Sequence, residues 1–236
     1  MYFNFENEMM YGNKHCVILQ NYDNSKYDFR PFLKKCFNLN DTDKLDDIHK
    51  IGYKYDRFVD FGQDTQTWYH STFYKFLKSE NGKTMKSMYN NLIRDIILPY
   101  LELKEAYVQN FPSFRIQLPD NVAVAKMHND SSLGHPYGEV NFTYSFTDMY
   151  DTNTIFIEKE SGKNNFVPLL LKENNNISFN GNQCLHYNEL NKTGKTRISM
   201  DYRILPVNYY LENNKTLSYS SKTKFVENEY YDFVQL

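Results

Sequence analysis

Two histidines and one aspartate have the types and the spacing to bind a single metal ion. His128 and Asp130 lie two residues apart, so on an extended strand both side chains project from the same face. His186, the last histidine of the chain, completes the set if a strand pairing brings it beside that pair. Two imidazoles and one carboxylate on one side of a metal leave coordination positions open, and this ligand set is typical of non-haem Fe(II) sites.

An arginine follows the last of these histidines within the same part of the chain. Arg197 stands eleven residues after His186, and its guanidinium is always charged and shaped to hold a carboxylate with two hydrogen bonds. Ser199 falls on the same face of the predicted strand. A metal triad with a carboxylate clamp indicates a keto acid bound to the metal.

These residues belong to an ordered series of motifs that resembles the Fe(II)/2-oxoglutarate-dependent dioxygenase superfamily. The likeness is greatest to a branch of small bacterial and phage proteins with streptomycin-biosynthesis-like members. The matching segments are His128-Asn129-Asp130, the stretch from Gly134 to Phe142, Thr152-Asn153-Thr154, Phe179-Asn180-Gly181-Asn182, and His186 with Asn191 to Ser199. The resemblance covers residues 113 to 206.

The resemblance implies both a fold and a chemistry. The fold is mainly β with flanking helices, a double-stranded β-helix or jelly roll of the cupin-like kind. His128, Asp130 and His186 would be the catalytic residues and would hold Fe(II). The cofactors would be Fe(II), 2-oxoglutarate and O2, with Arg197 and Ser199 binding the far carboxylate of the keto acid. Hydroxylation or another oxidation of a small polar metabolite would release succinate and CO2.

Further polar residues are candidates for contacts with ligands. Asn141 and Arg115 could bind the metal-proximal carboxylate of the keto acid or the substrate. Alternation along residues 139 to 146 places polar side chains on one face, which could line the cavity. The substrate-binding candidates are Glu139, His135 and Thr143. The residues interpreted instead as members of structural pairs are Arg203, Asp201 and Glu158, and Cys184 is interpreted as a buried thiol rather than a ligand.

Two other function classes stay open, because a fold does not fix a function. One is a cupin-like isomerase or epimerase, or a zinc-binding jelly roll. The other is a module that binds a sugar or small ligand without turnover. Arg197-Ile198-Ser199 argues against an epimerase, which has no reason to keep a carboxylate clamp. The loop Ser131-Ser132-Leu133 and Thr143 lack aromatic residues expected in this branch, so the substrate stays open.

Composition excludes several alternatives. The chain has 236 residues, a length that suits one domain. Its net charge of −2 provides no broad basic field that would attract nucleic acid. Its three cysteines are scattered and odd in number, which favours a reducing compartment over a disulfide framework. The first residues are acidic, and no apolar run reaches the length of a membrane span. We therefore expect a cytoplasmic protein with a small-molecule substrate and neither nucleic acid nor a membrane as partner.

The pattern of apolar residues predicts where the elements lie. We expect one or two strands in residues 1 to 60, a short helix over residues 31 to 37, and another helix starting at Asp64-Thr65. The clearest helix follows Asn81-Gly82 and runs to Pro99 along the outside of a sheet. The predicted strands cover residues 114 to 117, 122 to 128, 139 to 146, 154 to 157, 166 to 171, 176 to 179 and 197 to 205.

Many short strands without alternating helices predict an antiparallel, two-sheet jelly roll with the metal in its mouth. Within a single domain we predict three parts. Residues 1–112 form a mixed α/β elaboration packed on the barrel, residues 113–206 form the jelly-roll core, and residues 207–236 form a C-terminal tail. The tail could cover a sheet edge, act as a lid or contribute to a homodimer, and nothing in its sequence chooses among these roles.

Overall fold

The computed structural model describes residues 16–19, 25–51, 67–123, 126–218 and 222–236. The helices are α1 (Arg30–Cys36), α2 (Trp68–Phe76), α3 (Glu80–Leu92) and α4 (Leu98–Tyr100), with a π-helical turn at Ile93–Ile97 and 3-10 turns at Leu45–Lys50, Asp130–Leu133, Asp151–Asn153 and Val207–Tyr209. The strands are β1 (Cys16–Leu19), β2 (Glu105–Gln109), β3 (Ser113–Gln117), β4 (Val140–Ser145), β5 (Ile155–Glu158), β6 (Phe166–Pro168), β7 (Asn175–Phe179), β8 (His186–Asn188), β9 (Arg197–Pro206) and β10 (Tyr231–Gln235).

The helices mostly lie where apolar spacing and capping residues predict them. The short helix predicted over residues 31 to 37 is α1. Helix α2 begins at Trp68, where the Thr67 side chain accepts a hydrogen bond from a backbone N–H of the first turn, and the predicted start at Asp64-Thr65 lies outside the described residues. Helix α3 starts at Glu80, three residues before the start predicted after Gly82, because Ser79 caps the helix by accepting the Gly82 N–H.

The long helical segment was predicted to run to Pro99, but it ends one residue later. It passes through the π-helical turn and continues to Tyr100. Pro99 has no N–H to donate, and its ring would meet the carbonyl of Asp95 in a regular α-helix. The wider turn immediately before the proline accommodates this loss, so the chain continues for one more residue instead of ending.

The strands form two antiparallel sheets. The large sheet has the order β1-β7-β4-β9-β2-β10, and the long strand β9 pairs with β3 through its first half and with β2 through its second. The small sheet has the order β6-β5-β8, and His128 joins its β8 edge through an isolated antiparallel bridge to His186. The mostly antiparallel, two-sheet arrangement with flanking helices agrees with the jelly roll that was predicted.

The predicted strands differ from the structure in several places among the described residues. The strand predicted over residues 122 to 128 crosses positions outside the described residues, and its described part contributes only the bridge at His128. The strand predicted over residues 166 to 171 ends at Pro168, although the N–H of Leu169 still donates to the carbonyl of Ile155 (2.8 Å) and Leu171 forms an isolated bridge with Met149. Strand β2 was not predicted, although it lies between β9 and β10 in the large sheet.

The two faces of the large sheet differ in chemistry because side chains alternate along each strand. Phe142 on β4 and Tyr202 on β9 point to one face, where their rings stack at 5.3 Å. This face packs against α2 and α3 in the main apolar core, which confirms that the clearest predicted helix lies along the outside of a sheet. The opposite face carries Asn141, Ser199 and Arg203 and turns toward the small sheet.

The C-terminal segment returns to the large sheet. Strand β10 pairs antiparallel with β2 along five residues, so the segment covers a sheet edge, one of the three roles considered for it. Tyr210, just beyond the last 3-10 turn, stacks on Tyr107 of β2 with ring centroids 3.7 Å apart. Among the described residues, no helix combines the length and the apolar character that crossing a bilayer requires.

Candidate metal centre

The three predicted ligands lie together between the two sheets. The backbone N–H of His128 donates to the carbonyl of His186 (3.1 Å), and that of His186 donates to the carbonyl of His128 (2.8 Å). Their Nε2 atoms stand 3.5 and 3.7 Å from Oδ1 of Asp130. One ligand atom from each residue lies within 4.8 Å of the other two. The strand pairing predicted to bring His186 beside the first pair is therefore confirmed.

Asp130 reaches the centre from a 3-10 turn and not from a strand. The extended backbone ends at Asn129, whose side chain accepts the N–H of Ser132 at 2.9 Å and so caps the turn. The N–H of Asp130 donates to the carbonyl of Gly181 (2.9 Å), which ties the turn to the end of β7. The prediction of one extended strand through Asp130 is wrong, but the two side chains still converge.

Backbone carbonyls select the tautomers of both histidines. Nδ1 of His128 lies 2.7 Å from the carbonyl of Lys126, and Nδ1 of His186 lies 3.2 Å from the carbonyl of Cys184. A carbonyl only accepts, so each Nδ1 carries the proton and each Nε2 presents a lone pair toward Asp130. Burial lowers the pKa of His186 despite the nearby carboxylate. Neutral imidazoles with free Nε2 atoms are in the form that binds a metal.

The two oxygens of Asp130 have different surroundings. Oδ2 accepts hydrogen bonds from Nδ2 of Asn141 (2.6 Å) and from Nε (2.9 Å) and Nη2 (2.8 Å) of Arg203. Oδ1 is buried and accepts no hydrogen bond from the described residues. Burial would raise the pKa of Asp130, but the Arg203 guanidinium holds it well below its usual range. The carboxyl group is therefore ionised.

This arrangement of lone pairs fits a cation. An anionic oxygen that is buried without a donor carries a large desolvation cost, and two imidazole lone pairs facing it add repulsion. A metal ion bound by Oδ1 and by both Nε2 atoms removes both costs at once. The donor set of two nitrogens and one oxygen with open positions suits Fe(II).

Arg203 is a residue of the site that sequence reasoning missed. It was interpreted as part of a structural pair, and its partner is the predicted ligand Asp130. Nη1 of Arg203 also reaches Gln109 (3.3 Å) and the hydroxyl of Tyr230 (3.4 Å). The available signal was the alternation of Arg197, Ser199, Asp201 and Arg203, which places all four on one face of β9.

A buried network stands behind Arg203. Glu139 is fully buried, lies 3.8 Å from Nε of Arg203 and accepts a hydrogen bond from the hydroxyl of Tyr231. Nδ1 of His135 lies 2.7 Å from the other oxygen of Glu139, and its ring packs on Phe225. Glu139 and His135 thus bond to each other rather than to the triad, and their substrate-binding role stays a prediction.

The predicted keto-acid clamp lies on the same face of β9 as Arg203. Arg197 is almost fully buried and stands opposite Gln117 of β3, while Ser199 stands opposite Arg115. The hydroxyl oxygen of Ser199 and Oε1 of Gln117 are buried and have no hydrogen-bond partner in the described chain. These atoms offer unused hydrogen-bonding capacity beside the Arg197 guanidinium, as a site for a carboxylate requires.

Arg115 and Thr143, two further candidates, meet at Asp201. Nε of Arg115 donates to Oδ2 of Asp201 and the hydroxyl of Thr143 donates to Oδ1, each at 2.9 Å. The structural pair predicted for Asp201 is therefore present. The side chains of Arg115 and Asp201 keep 22 % and 18 % of their surface exposed, so both also face open space.

Cys184 lies near His186 without joining the ligand group. It is fully buried in a cluster with Ile157 and Phe179, and burial raises the pKa of its thiol to about 12. The group of potential metal ligands found in the described residues contains only the two histidines and Asp130. A protonated, buried thiol of this kind is a packing residue, as the sequence indicated.

Known proteins share sequence or fold with the chain. No family model matches it. The streptomycin biosynthesis protein StrG of Streptomyces griseus is 33% identical over 180 residues, which cover 76% of this chain and 82% of StrG. Among solved structures, CytC3 with Fe(II) and alpha-ketoglutarate superposes with a TM-score of 0.52 at 12% identity, covering 90% of this chain and 82% of CytC3. The alpha-ketoglutarate-dependent epimerase SnoN gives a TM-score of 0.51 at 11% identity, covering 86% and 82% of the two chains. These two structures share the fold described above.

Proposed function

Since the chain belongs to the Fe(II)/2-oxoglutarate-dependent dioxygenase superfamily, in its streptomycin-biosynthesis-like branch, we propose that it oxidises a small polar metabolite with Fe(II), 2-oxoglutarate and O2. Hydroxylation is the simplest outcome, with succinate and CO2 as the other products. The relationship to StrG supports a role in a biosynthetic pathway. The net charge of −2 and the scattered cysteines support a cytoplasmic enzyme that acts without nucleic acid or a membrane.

One observation carries the proposal. Oδ1 of Asp130 is buried without a hydrogen bond and faces Nε2 of His128 and Nε2 of His186 at 3.5 and 3.7 Å. The imidazoles cannot donate to it, because their protons are held on Nδ1 by backbone carbonyls. Three acceptors aimed at one point form a binding site for a cation and have no other evident use.

The residues of the chain divide the proposed work among them. His128, Asp130 and His186 hold the iron and leave its remaining positions free. Arg197 binds the far carboxylate of the keto acid as a two-pronged donor, and the Ser199 hydroxyl adds a third hydrogen bond. Bound iron, keto acid and O2 together supply the oxidising equivalent. The protein contributes position and exclusion of water, and the jelly roll that we propose for the two sheets encloses the reacting groups.

Asn141 and Arg115 are the remaining candidates for contact with the keto acid. The amide Nδ2 of Asn141 is used by Asp130, but its Oδ1 is buried with no hydrogen-bond partner in the described chain. Arg115 keeps its fork partly open beside Ser199. A cationic fork suits a carboxylate and a lone acceptor suits a hydroxyl. We therefore assign Arg115 to the keto acid and Asn141 Oδ1 to a donor on the substrate.

An anaerobic titration tests the proposal. Fe(II) and 2-oxoglutarate added together should give a weak visible charge-transfer band that neither gives alone with the protein. His186→Ala should abolish the band because one nitrogen ligand is lost. Arg30→Gln serves as a control. The Arg30 guanidinium, at the start of α1, donates through Nε and Nη2 to the two carboxylate oxygens of Asp28 and does not contact the triad. Zinc binding without the band, or no metal binding at all, would support the jelly-roll alternatives instead.

A further inference from the structure

The environment of Asp130 Oδ2 has a consequence for how a metal can be coordinated. A carboxylate oxygen offers about two lone-pair directions, and here three N–H donors at 2.6 to 2.9 Å already occupy them. Two come from the planar fork of Arg203 and one from Asn141. Both donors stand on neighbouring strands at paired positions of the same sheet, so the direction from which they approach is fixed by the backbone.

We propose that Arg203 and Asn141 are positioning residues that confine Asp130 to coordination through Oδ1 alone. The inference rests on the proposed function, because it concerns iron held by the triad. A carboxylate free of such donors can rotate and bind a metal through both oxygens. Confinement keeps Oδ2 turned away from the two Nε2 atoms, and only Oδ1 faces them.

The number of open coordination positions depends on this confinement. Iron held by two imidazoles and one carboxylate oxygen would keep enough positions open for a keto acid that binds through two atoms and for one gas molecule. If Asp130 used both oxygens, the keto acid would fill the shell. Arg203 and the Asn141 amide nitrogen would therefore preserve the position at which O2 enters, and they would do so by acting on Asp130.

The buried network behind Arg203 holds the fork in place. Glu139 lies 3.8 Å from Nε of Arg203 and the hydroxyl of Tyr230 lies 3.4 Å from Nη1, and Tyr231 and His135 hold Glu139 in turn. Because the Arg203 guanidinium contacts both Asp130 and Glu139, it cannot move with the Asp130 carboxylate if that carboxylate rotates. Burial distinguishes Arg203, whose side chain is 10% exposed, from Arg30, which pairs with Asp28 and Glu173 while 28% of its side chain is exposed.

Nitric oxide reports the open position directly, because it binds Fe(II) in place of O2 and gives a characteristic electron paramagnetic resonance signal. The experiment compares the wild-type protein with Asn141→Ala, Arg203→Lys and Arg203→Gln, each saturated with Fe(II) and 2-oxoglutarate without oxygen. Arg203→Lys keeps the charge but loses the fork, and Asn141→Ala removes one donor with little risk to folding. Arg30→Gln is the matched control.

We expect the electron paramagnetic resonance signal per bound iron to fall in Asn141→Ala and to fall further in both Arg203 variants. It should stay unchanged in Arg30→Gln. The visible charge-transfer band should shift in the same variants, and iron affinity should drop about 10- to 100-fold, as for other residues that orient a metal ligand. Variants that bind iron more weakly but give a full signal and an unshifted band at saturation would overturn the proposal, since Arg203 would then serve stability only. A wild-type protein without the band would refute the proposed function itself.

Discussion

Replacing Asp130 in two ways separates its charge from its hydrogen bonds. In Asp130→Asn the amide oxygen can take the place of Oδ2 and accept from Asn141 and Arg203, while the amide NH2 points toward the two Nε2 lone pairs. The variant therefore satisfies every neighbouring group without a metal, and we expect a metal-free protein within about 1–2 kcal/mol of wild type. Asp130→Ala leaves the Arg203 fork without its main partner, and loss of one member of a buried pair costs about 3–5 kcal/mol.

Metal binding should separate wild type from both variants. A cation present at 100 times its dissociation constant stabilises the folded state by about 2.7 kcal/mol. For a chain of this size that corresponds to a rise in melting temperature of about 5–11 °C. Asp130→Asn places an amide NH2 where the cation would lie, and Asp130→Ala removes the ligand, so neither should show the rise.

The assay is thermal unfolding with and without Fe(II) under anaerobic conditions, with a chelator in the metal-free samples. Asp148→Asn is a suitable control, because Asp148 pairs with Lys172 at the surface and lies outside the ligand group. Equal metal-free stabilities of the Asn and Ala variants would refute the account of Oδ2. A metal-dependent rise that survives in Asp130→Asn would refute the account of Oδ1.

Three further predictions concern the clamp, a buried histidine and the core. Arg197→Gln should raise the dissociation constant of 2-oxoglutarate roughly 10- to 100-fold, the value of hydrogen bonds to a charged group, with little change in iron affinity when both are read from the charge-transfer band. Burial lowers the pKa of His70 to about 4, so the unfolded chain binds a proton on this histidine at a higher pH than the folded chain does. Up to about 3 kcal/mol of the free energy of unfolding should therefore be lost as pH falls from 6.5 to 4. Urea unfolding should show this pH dependence, and His70→Gln should flatten it. Phe142→Ala removes a fully buried ring that stacks on Tyr202. It should lower the free energy of unfolding by about 3–5 kcal/mol in the same assay and leave the affinity of the folded protein for the metal unchanged.

The triad could be predicted from the sequence because each of its two segments carries a recognisable motif. His128 and Asp130 are close in the chain, and the segment around His186 and Arg197 carries a recognisable pattern. The long amphipathic helix and most strands were predictable for the same reason, since hydrophobic periodicity is a short-range signal. Turn chemistry was less well predicted, because Asn129 ends the expected strand and caps a 3-10 turn whose first residue is the ligand Asp130.

Apart from the bridge between His128 and His186, pairings between distant segments could not be predicted. Arg203 and Asp130 are 73 residues apart, and β10 pairs with β2 although more than a hundred residues separate them. A period of two shows which residues of β9 share a face, but it does not show which residue on another strand lies opposite. The three-part division of the chain, the contact residues for the substrate, a homodimer and the cytoplasmic location stay predictions.

A crystal grown without oxygen in the presence of Fe(II) and 2-oxoglutarate tests the central claim most directly. Diffraction data collected at the iron absorption edge should place one anomalous peak among Nε2 of His128, Nε2 of His186 and Oδ1 of Asp130. The keto acid should chelate that ion and extend its far carboxylate to Arg197. An iron peak at another place, or a keto acid that leaves Arg197 without contact, would contradict the account.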